Sequence, residues 1–238
     1  MAPARPARPA RARDPPHPRE PAIRTADRPG AFLAFEGGEG AGKSTQVRLL
    51  TEWLTAAGHA VRATFEPGDT PAGGVIRQLL LDRADLALGP RAEALLYAAD
   101  RAQHTAAVLL PALAAGEVVI TDRFVDSSLA YQGAGREIAR EEVAGLSRWA
   151  TEGLVPDLTV LLDLPPETGL ARARGRAAAD RMEAESLDFH ERVRQTFLEL
   201  AAAEPGRYLV LDATRRAEEL AADVRDRVAA LLDPAASR

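Results

Sequence analysis

The sequence predicts a three-layer α/β fold in which a five-stranded parallel sheet is flanked by helices. Three observations predict it. Short apolar runs with strand character alternate with segments in which apolar residues recur at helical spacing. A glycine-rich nonamer, residues 37–45, joins the first of these runs to the first helical segment. Polar residues follow three of the predicted strands, at the edge where parallel sheets bind ligands.

Each element is predicted from its own segment of the chain. The strands are short and rich in Val, Leu, Ile and Phe: Phe32–Glu36, Ala60–Phe65, Glu117–Asp122, Leu158–Asp163 and Tyr208–Asp212. The helices are predicted over residues 43–57, 71–82, 90–115, 139–152, 166–176, 182–203 and 215–232. A chain of 238 residues is long enough for one such domain.

Residues 1–30 differ in composition from the rest of the chain. They hold seven arginines, three acidic residues and eight of the 17 prolines, without apolar periodicity. Such a segment cannot bury enough surface to fold, so we predict a disordered tail and a folded domain over 31–238. Its charge permits a targeting peptide or a nucleic-acid arm. The composition favours a solvated extension, or residues upstream of the true start, because no secretory apolar region is present.

Composition excludes several classes of protein. The absence of cysteine excludes disulfides and thiolate metal sites. No apolar stretch reaches the roughly 20 residues of a membrane span, and the four histidines show no ligand spacing. We therefore expect a cytoplasmic enzyme that binds neither a membrane nor nucleic acid.

The nonamer has the G-x-x-x-x-G-K-[ST] pattern of a phosphate-binding loop. Its residues are Gly37, Gly38, Glu39, Gly40, Ala41, Gly42, Lys43, Ser44 and Thr45. Lys43 is the only lysine in the chain. Backbone N–H groups are predicted to cradle phosphates, with Lys43 on the β and γ oxygens and Ser44 on Mg²⁺. A chance glycine-rich turn is disfavoured because a strand precedes the loop and a helix follows it.

The predicted third strand ends in Asp122-Arg123. Because this end faces the phosphate-binding loop, Asp122 is predicted to hold the hydration shell of the metal. Arg123 is predicted to bind an acceptor phosphate, since a guanidinium can bind two oxygens at once. The alternative is a surface ion pair between these two neighbours.

The segment Leu170–Arg181 carries four arginines among small residues. It predicts a short lid, about residues 170–182, that closes over the phosphates and supplies positive charge. The alternative is a solvated helix face. The acidic Glu39 in the phosphate-binding loop favours the lid, because the γ-phosphate charge must then be met from elsewhere.

Two further patterns are weaker. Tyr97 and Arg101 are four residues apart on one helix face, a spacing that suits a base to stack and a carbonyl to hydrogen-bond. A core tyrosine with a capping or surface arginine is equally compatible with it. The segment 124–136 contains several polar residues, which by themselves predict no more than a loop.

In this order the motifs resemble the bacterial type of thymidylate kinase. The resemblance runs from about Ala31 to Ala202 and rests on Phe35–Thr45, Glu66–Thr70, Tyr97–Arg101, Asp122–Phe124, Ser127–Gly133 and Asp180–Glu183. It implies the P-loop nucleoside monophosphate kinase fold. It also implies transfer of the γ-phosphoryl group of ATP to dTMP for dTTP synthesis, with Mg²⁺ as cofactor and a homodimer as the assembly.

The resemblance also implies roles by position. The ATP site takes the loop residues 37–45 and the lid residues Arg172, Arg174 and Arg176, with Arg176 as the phosphate clamp. Residues implied in dTMP binding include Glu39 and Glu66, then Arg77 and Arg123 on the acceptor phosphate. At the base and sugar they are Tyr97 on the ring, Arg101 near O4, Ser128 and Gln132 at the base edge, and Tyr131 against the deoxyribose.

Three positions depart from the family pattern. Phe65 stands where the family often has arginine, Asp69 where it often has a second glycine, and Tyr97 where it often has phenylalanine. A left-handed conformation at Asp69 would cost more than at glycine. The alternatives are another P-loop nucleotide or nucleoside kinase with a different acceptor, and a nucleotide-dependent switch without transfer activity. A guanine switch is disfavoured because its Asn-Lys-x-Asp motif needs a second lysine.

Overall fold

The computed structural model describes residues 28–83, 85–174 and 181–233. Its strands are β1 Ala31–Glu36, β2 Val61–Phe65, β3 Val118–Asp122, β4 Leu158–Asp163 and β5 Tyr208–Asp212. They form one parallel sheet in the order β2-β3-β1-β4-β5. The predicted fold class is confirmed, and each predicted strand is confirmed to within one residue.

Helices connect the strands and lie beside the sheet. They are α1 Lys43–Ala56, α2 Pro71–Arg77, α3 Pro90–His104, α4 Leu110–Ala114, α5 Val125–Ser128, α6 Arg140–Ala150, α7 Pro166–Arg174, α8 Leu187–Ala203 and α9 Ala217–Leu232. π-Helical turns continue α2 over Gln78–Asp82, α3 over Thr105–Leu109 and α5 over Leu129–Gly135. Among the described helices, none has the length and apolar character to cross a membrane.

Two helix predictions were wrong. Helix α8 begins at Leu187 rather than at residue 182, because the Ser186 hydroxyl accepts a hydrogen bond from the Phe189 N–H and caps the helix there. Residues 125–135, predicted as a polar loop, are helical, and a buried carboxylate from β1 accepts hydrogen bonds from the N–H groups of Phe124 and Ser127 where this segment begins. Most of the predicted tail (1–27) and part of the predicted lid (175–180, including Arg176) lie outside the described residues.

The central strand β1 is buried on both faces. Alternate residues Ala31, Leu33 and Phe35 pack against α1 and α9, through Leu50, Leu54, Leu220 and Val224. Phe32 and Ala34 point to the opposite face, toward Leu109, Leu113 and Phe124. Because side chains alternate along a strand, five consecutive apolar residues fill both layers. The phosphate-binding loop therefore leaves the sheet from a central strand that is buried on both faces.

Packing begins earlier in the chain than predicted. The Arg28 guanidinium donates hydrogen bonds of 3.0 and 3.1 Å to the two carboxylate oxygens of Asp157. Asp157 also accepts a 2.7 Å bond from the Phe32 N–H, and the Arg28 and Asp157 side chains are both buried. Arg28, three residues before the predicted boundary at residue 31, therefore packs against the domain.

Candidate active site

The phosphate-binding loop curls around its own lysine. The Lys43 ammonium donates hydrogen bonds to the carbonyl oxygens of Gly37, at 3.1 Å, and Gly38, at 2.9 Å. Gly40 has a φ of 66°, and a side chain there would collide with the backbone carbonyl of Gly169 in α7. Glycine is therefore required where the loop packs against α7.

The environment of Lys43 favours an incoming anion. Burial lowers the pKa of its ammonium, and the nearby Arg123 lowers it further. The carboxylates of Asp122 and Glu39 oppose this shift only in part. A phosphate group placed at the loop would offset the repulsion between the two cations and favour the charged lysine.

Ser44 and Asp122 meet at the mouth of the loop. The Ser44 hydroxyl donates a 2.7 Å hydrogen bond to Oδ2 of Asp122. Strand β3 pairs with β1 in parallel, with Asp122 opposite Phe35, so its last residue lies beside the start of the loop. The structure thus brings together the two residues that the sequence predicts for the metal.

Arg123 lies between the loop and the segment that follows α5. Its guanidinium donates to Glu39 Oε1 at 2.8 Å, Ser127 Oγ at 3.2 Å and the Gly37 carbonyl at 3.3 Å, and it lies 5.1 Å from the Tyr131 ring centroid. It forms no ion pair with its neighbour Asp122. Because the pairing is with Glu39, the alternative of a surface pair between neighbours is excluded.

The Glu39 carboxylate is held ionised. It also accepts a 2.7 Å bond from the Tyr131 hydroxyl. Burial alone raises the pKa of a carboxyl, but Arg123, Lys43 and the Tyr131 bond outweigh it and lower the pKa of Glu39 to about 2. Glu39 therefore stays negative and orients both Arg123 and Tyr131.

A second carboxylate, Glu36, shapes the backbone after β3. Its Oε1 accepts from the N–H groups of Phe124, at 2.8 Å, and Ser127, at 3.2 Å, while Oε2 accepts from the Ser127 hydroxyl at 2.6 Å. These bonds secure the turn in which Arg123 has a φ of 75°, a conformation that is uncommon outside glycine. Burial raises the pKa of Glu36 to about 7, and Asp126 adds to the shift.

Two cavities adjoin at these residues. The larger, about 700 Å³, is lined by the phosphate-binding loop, the start of α1 and the end of β3. The smaller, about 230 Å³, is lined by Tyr97, Arg101, Ser128, Tyr131 and Gln132, among others. Both cavities share Glu39, Glu66, Arg77 and Arg123 in their walls. Loop residues 39–45, predicted for the donor, and all the residues predicted for the acceptor therefore line two adjoining spaces.

Arg101 is buried at the wall of the smaller cavity. Its guanidinium donates to Glu66 Oε2 at 2.7 Å, Ser128 Oγ at 2.8 Å and the Phe124 carbonyl at 2.9 Å. Tyr97, one helical turn earlier on α3, is half-buried in the same wall. The alternative of a surface arginine is excluded, since the Arg101 side chain is 2% exposed.

A buried series of hydrogen bonds supports the orientation of Arg101. Glu66 Oε1 lies 2.9 Å from His104 Nδ1, and Nε2 of the same imidazole lies 2.6 Å from the Thr64 hydroxyl, which donates to Asp69. Although burial raises the pKa of a carboxyl, Arg101 and His104 outweigh it and lower that of Glu66. These hydrogen bonds connect α3 to β2 and to the segment that follows β2.

Comparison with known proteins decides the family. A sequence profile of the family described as Thymidylate kinase matches residues 35–224. The chain belongs to the thymidylate kinase family.

Individual relatives agree along most of the chain. The Thymidylate kinase of Leifsonia xyli subsp. xyli is 57% identical over 204 residues, which cover 85% of this chain and 96% of that protein. The Thymidylate kinase of Deinococcus radiodurans is 54% identical over 195 residues, covering 82% and 94% respectively. The predicted resemblance is thus confirmed. Family membership identifies the chain as an enzyme, and the reaction it implies is ATP-dependent phosphorylation of dTMP to dTDP.

A solved structure supports the same fold. The crystal structure of thymidylate kinase from Ehrlichia chaffeensis superposes with a TM-score of 0.64 and is 31% identical in sequence. The match covers 76% of this chain and 92% of that chain.

Two departures from the thymidylate kinase pattern have a structural explanation. The Arg77 guanidinium lies 5.8 Å from the Phe65 ring centroid and donates a 2.7 Å bond to the Pro67 carbonyl, so Phe65 supports a neighbouring arginine. The cost of a left-handed conformation at Asp69 does not arise, because Asp69 does not adopt one. In the described chain the positive φ, 120°, falls on Gly68, and Asp69 accepts a bond from Thr64 instead.

Two of the three predicted lid arginines lie in the described part of the chain, and both lie away from the two cavities. Arg172 donates a 3.0 Å bond to the Ala213 carbonyl, and Arg174 is exposed. Neither side chain lines either of the two cavities. Arg176 lies outside the described residues, so the roles of all three remain sequence predictions.

Sequence reasoning missed Glu36 and His104. Each is buried and pairs with a residue far along the chain, so no local motif marks either one. Two weak signals were available in the sequence. Glu36 is an acidic residue at the end of an apolar strand, and His104 lies one helical turn from Arg101.

Proposed function

We propose that this chain transfers the γ-phosphoryl group of ATP to dTMP, giving ADP and dTDP for dTTP synthesis. The observation that carries the proposal is the junction of two cavities at Arg123, Arg77 and Glu39. A donor phosphate on the loop and an acceptor phosphate on the arginines would lie next to each other there. Such positioning accounts for most of the catalysis in phosphoryl transfer.

The larger cavity is the proposed ATP site. Backbone N–H groups of residues 37–45 bind the phosphates, and Lys43 turns from the Gly37 and Gly38 carbonyls toward the β and γ oxygens. Ser44 and Thr45 complete the site at the start of α1. Arg172, Arg174 and Arg176 are proposed as phosphate ligands, with Arg176 as the clamp.

The residues at the loop mouth fit a magnesium ion. Mg²⁺ prefers oxygen ligands, keeps several waters and often takes only one or two from the protein. The Ser44 hydroxyl and the Asp122 carboxylate supply such oxygens, 2.7 Å apart. When bound, Mg²⁺ neutralises charge on the phosphates. Ser44 is proposed as a direct ligand, and Asp122 as the residue that holds the hydration shell.

The smaller cavity is the proposed dTMP site. Arg77 and Arg123 bind the acceptor phosphate, where planar guanidinium groups can each contact two oxygens. Glu39 approaches the sugar 3′-hydroxyl, and Tyr131 lies against the deoxyribose. Tyr97 stacks on thymine, Arg101 meets its O4 with Glu66 behind it, and Ser128 and Gln132 contact the base edge.

The reaction needs no general base. The attacking oxygen belongs to a phosphate that is already anionic near neutral pH. The obstacle is therefore repulsion between two anions, which Lys43, Arg123 and the metal reduce. This explains why the proposed site uses cations and carboxylates rather than a histidine or cysteine nucleophile.

A homodimer is proposed as the assembly. Helices α2, α3 and α6 pack side by side, and each exposes a large apolar side chain: Val75, Leu95 and Trp149. Exposed apolar surface of this kind suits a second copy of the chain. Leu95→Glu should convert a dimer into a monomer, as measured by light scattering during gel filtration.

A coupled ADP-release assay tests the proposed reaction. ATP is supplied with dTMP, dUMP, UMP, dCMP, AMP or GMP as acceptor, and Lys43→Ala serves as the inactive control. We expect dTMP to have the highest kcat/KM and Lys43→Ala to lose at least about 10³ in kcat. Preference for another acceptor would instead establish a different P-loop nucleotide kinase.

A further inference from the structure

A buried carboxylate, Glu93, lies behind the smaller cavity in the first turn of α3. Its Oε1 accepts a 3.0 Å hydrogen bond from the side-chain amide nitrogen of Gln132 and a 3.2 Å bond from Arg136 Nε. Its Oε2 lies 3.1 Å from Arg136 Nη2 and 2.7 Å from Arg181 Nη1. The Glu93 side chain is 1% exposed, so these contacts replace its hydration.

The two arginines keep Glu93 ionised. Burial raises the pKa of a carboxyl, but bonds from Arg136, Gln132 and Arg181 outweigh it and lower the pKa of Glu93. An ionised carboxylate has no proton to donate, so it accepts only. The two ends of the Gln132 amide are therefore not equivalent at this position.

The carboxylate determines which end of the Gln132 amide faces the cavity. Turning the amide over would bring its oxygen against Glu93, where two acceptors would repel each other. With the nitrogen held by Glu93, the oxygen is the atom left for a ligand. Gln132 lines the smaller cavity, and its amide oxygen accepts no hydrogen bond from the described residues.

We propose that Glu93 is a positioning residue that makes Gln132 an acceptor, so that the site selects bases with an N3–H group. The proposal rests on the function proposed above. Thymine and uracil present an N3–H donor beside the O4 acceptor. Cytosine presents an unprotonated N3 beside an amino group. The Arg101 donor and the Gln132 acceptor match the first pattern and oppose the second.

The test is the change in base selectivity in Glu93→Gln. The new side chain carries both a donor and an acceptor, so the Gln132 amide can take either orientation. We expect the ratio of kcat/KM for dTMP to that for dCMP to fall about tenfold, the equivalent of roughly one hydrogen bond. The ratio of dTMP to dUMP should not change, because both bases carry N3–H. These ratios do not depend on how much of the variant is folded.

Glu185→Gln is the matched control. Glu185 also pairs with Arg136, at 2.6 Å, and no hydrogen bond joins it to Gln132. A double variant completes the design: in a Gln132→Ala background, Glu93→Gln should have no further effect on the dTMP to dCMP ratio.

The outcomes separate the two proposals. If the wild-type enzyme does not phosphorylate dTMP, the proposed function fails. If it does, and Glu93→Gln keeps the same base ratio as Glu185→Gln, only the positioning role is overturned. An effect of Glu93→Gln that persists without the Gln132 amide would also overturn it.

Discussion

Nη2 of Arg123 lies 2.8 Å from Oε1 of Glu39, which joins the end of β3 to the phosphate-binding loop. Both side chains are mostly buried, and Glu39 also accepts a bond from the Tyr131 hydroxyl. The guanidinium is therefore held at the junction of the two cavities before any nucleotide binds. Charge that is already oriented needs little reorganisation during the reaction.

Removing the Arg123 guanidinium should affect turnover. We expect Arg123→Ala to lower kcat/KM for dTMP by about 10³ or more, since arginine beside the reacting phosphates can contribute 10³–10⁵. Arg123→Lys should recover only part of this loss, because an ammonium lacks the planar fork. Steady-state kinetics provide the measurement. Arg216→Ala serves as control, because the Arg216 side chain is 77% exposed and lines neither cavity.

The contact between Ser44 and Asp122 predicts a change in metal dependence. Asp122→Asn keeps an oxygen for the Ser44 hydroxyl but removes the negative charge. We expect the Mg²⁺ concentration for half-maximal activity to rise about tenfold, because oxygen ligands with charge favour the ion. Titration of Mg²⁺ at saturating ATP and dTMP measures it. An unchanged midpoint with a lower kcat would show that Asp122 does not act through the metal.

Glu36 predicts a specific pH dependence of stability. Its pKa rises from 4.5 to about 7 on folding, so the folded protein binds a proton that the unfolded chain releases. The stabilising contribution is therefore complete below pH 4.5 and is lost as the pH rises to about 7. Over that window the loss amounts to at most about 3 kcal/mol.

Glu36→Gln has no carboxyl and should lack this pH dependence. Urea unfolding of both proteins at about pH 5 and about pH 8 measures the difference in free energy. We expect the wild type to lose more stability than the variant between the two conditions. Asp126, whose pKa burial also raises, interacts with Glu36, so the difference between the two proteins reports the titration of this pair of carboxyls. Equal losses in the two proteins would contradict the prediction.

The contacts of Arg28 predict how much of the N-terminal segment can be removed. Deleting residues 1–27 should leave kcat/KM and Tm nearly unchanged, because a proline-rich segment contributes few buried contacts. Deleting residues 1–29 removes Arg28 as well and leaves Asp157 buried without its guanidinium. We expect the free energy of unfolding of that variant to fall by about 3–5 kcal/mol. Thermal unfolding of the two truncated proteins distinguishes the cases, and equal Tm values would show that the Arg28 bond contributes nothing.

The sequence by itself determined the strands, the phosphate-binding loop and the family. Local patterns of residues along the sequence predict these features. A run of mostly apolar residues such as Phe32–Glu36 predicts a strand. The spacing of glycines before Lys43 predicts the loop. Tyr97 and Arg101 could be placed on one helix face from their separation alone. The placement of Asp122 beside the phosphate-binding loop also followed, because adjacent parallel strands end at the same edge.

Only the tertiary structure decided which charged groups pair with each other. Glu36 binds N–H groups about 90 positions further along, Glu66 lies against Arg101 and His104, and Glu93 holds Gln132. Such pairings arise when distant segments are buried together, since a carboxylate removed from water must find whichever donors the packing brings near. No spacing of residues along the sequence predicts these pairings. These pairings orient the arginine and amide side chains, whereas the motifs predict only which residues take part.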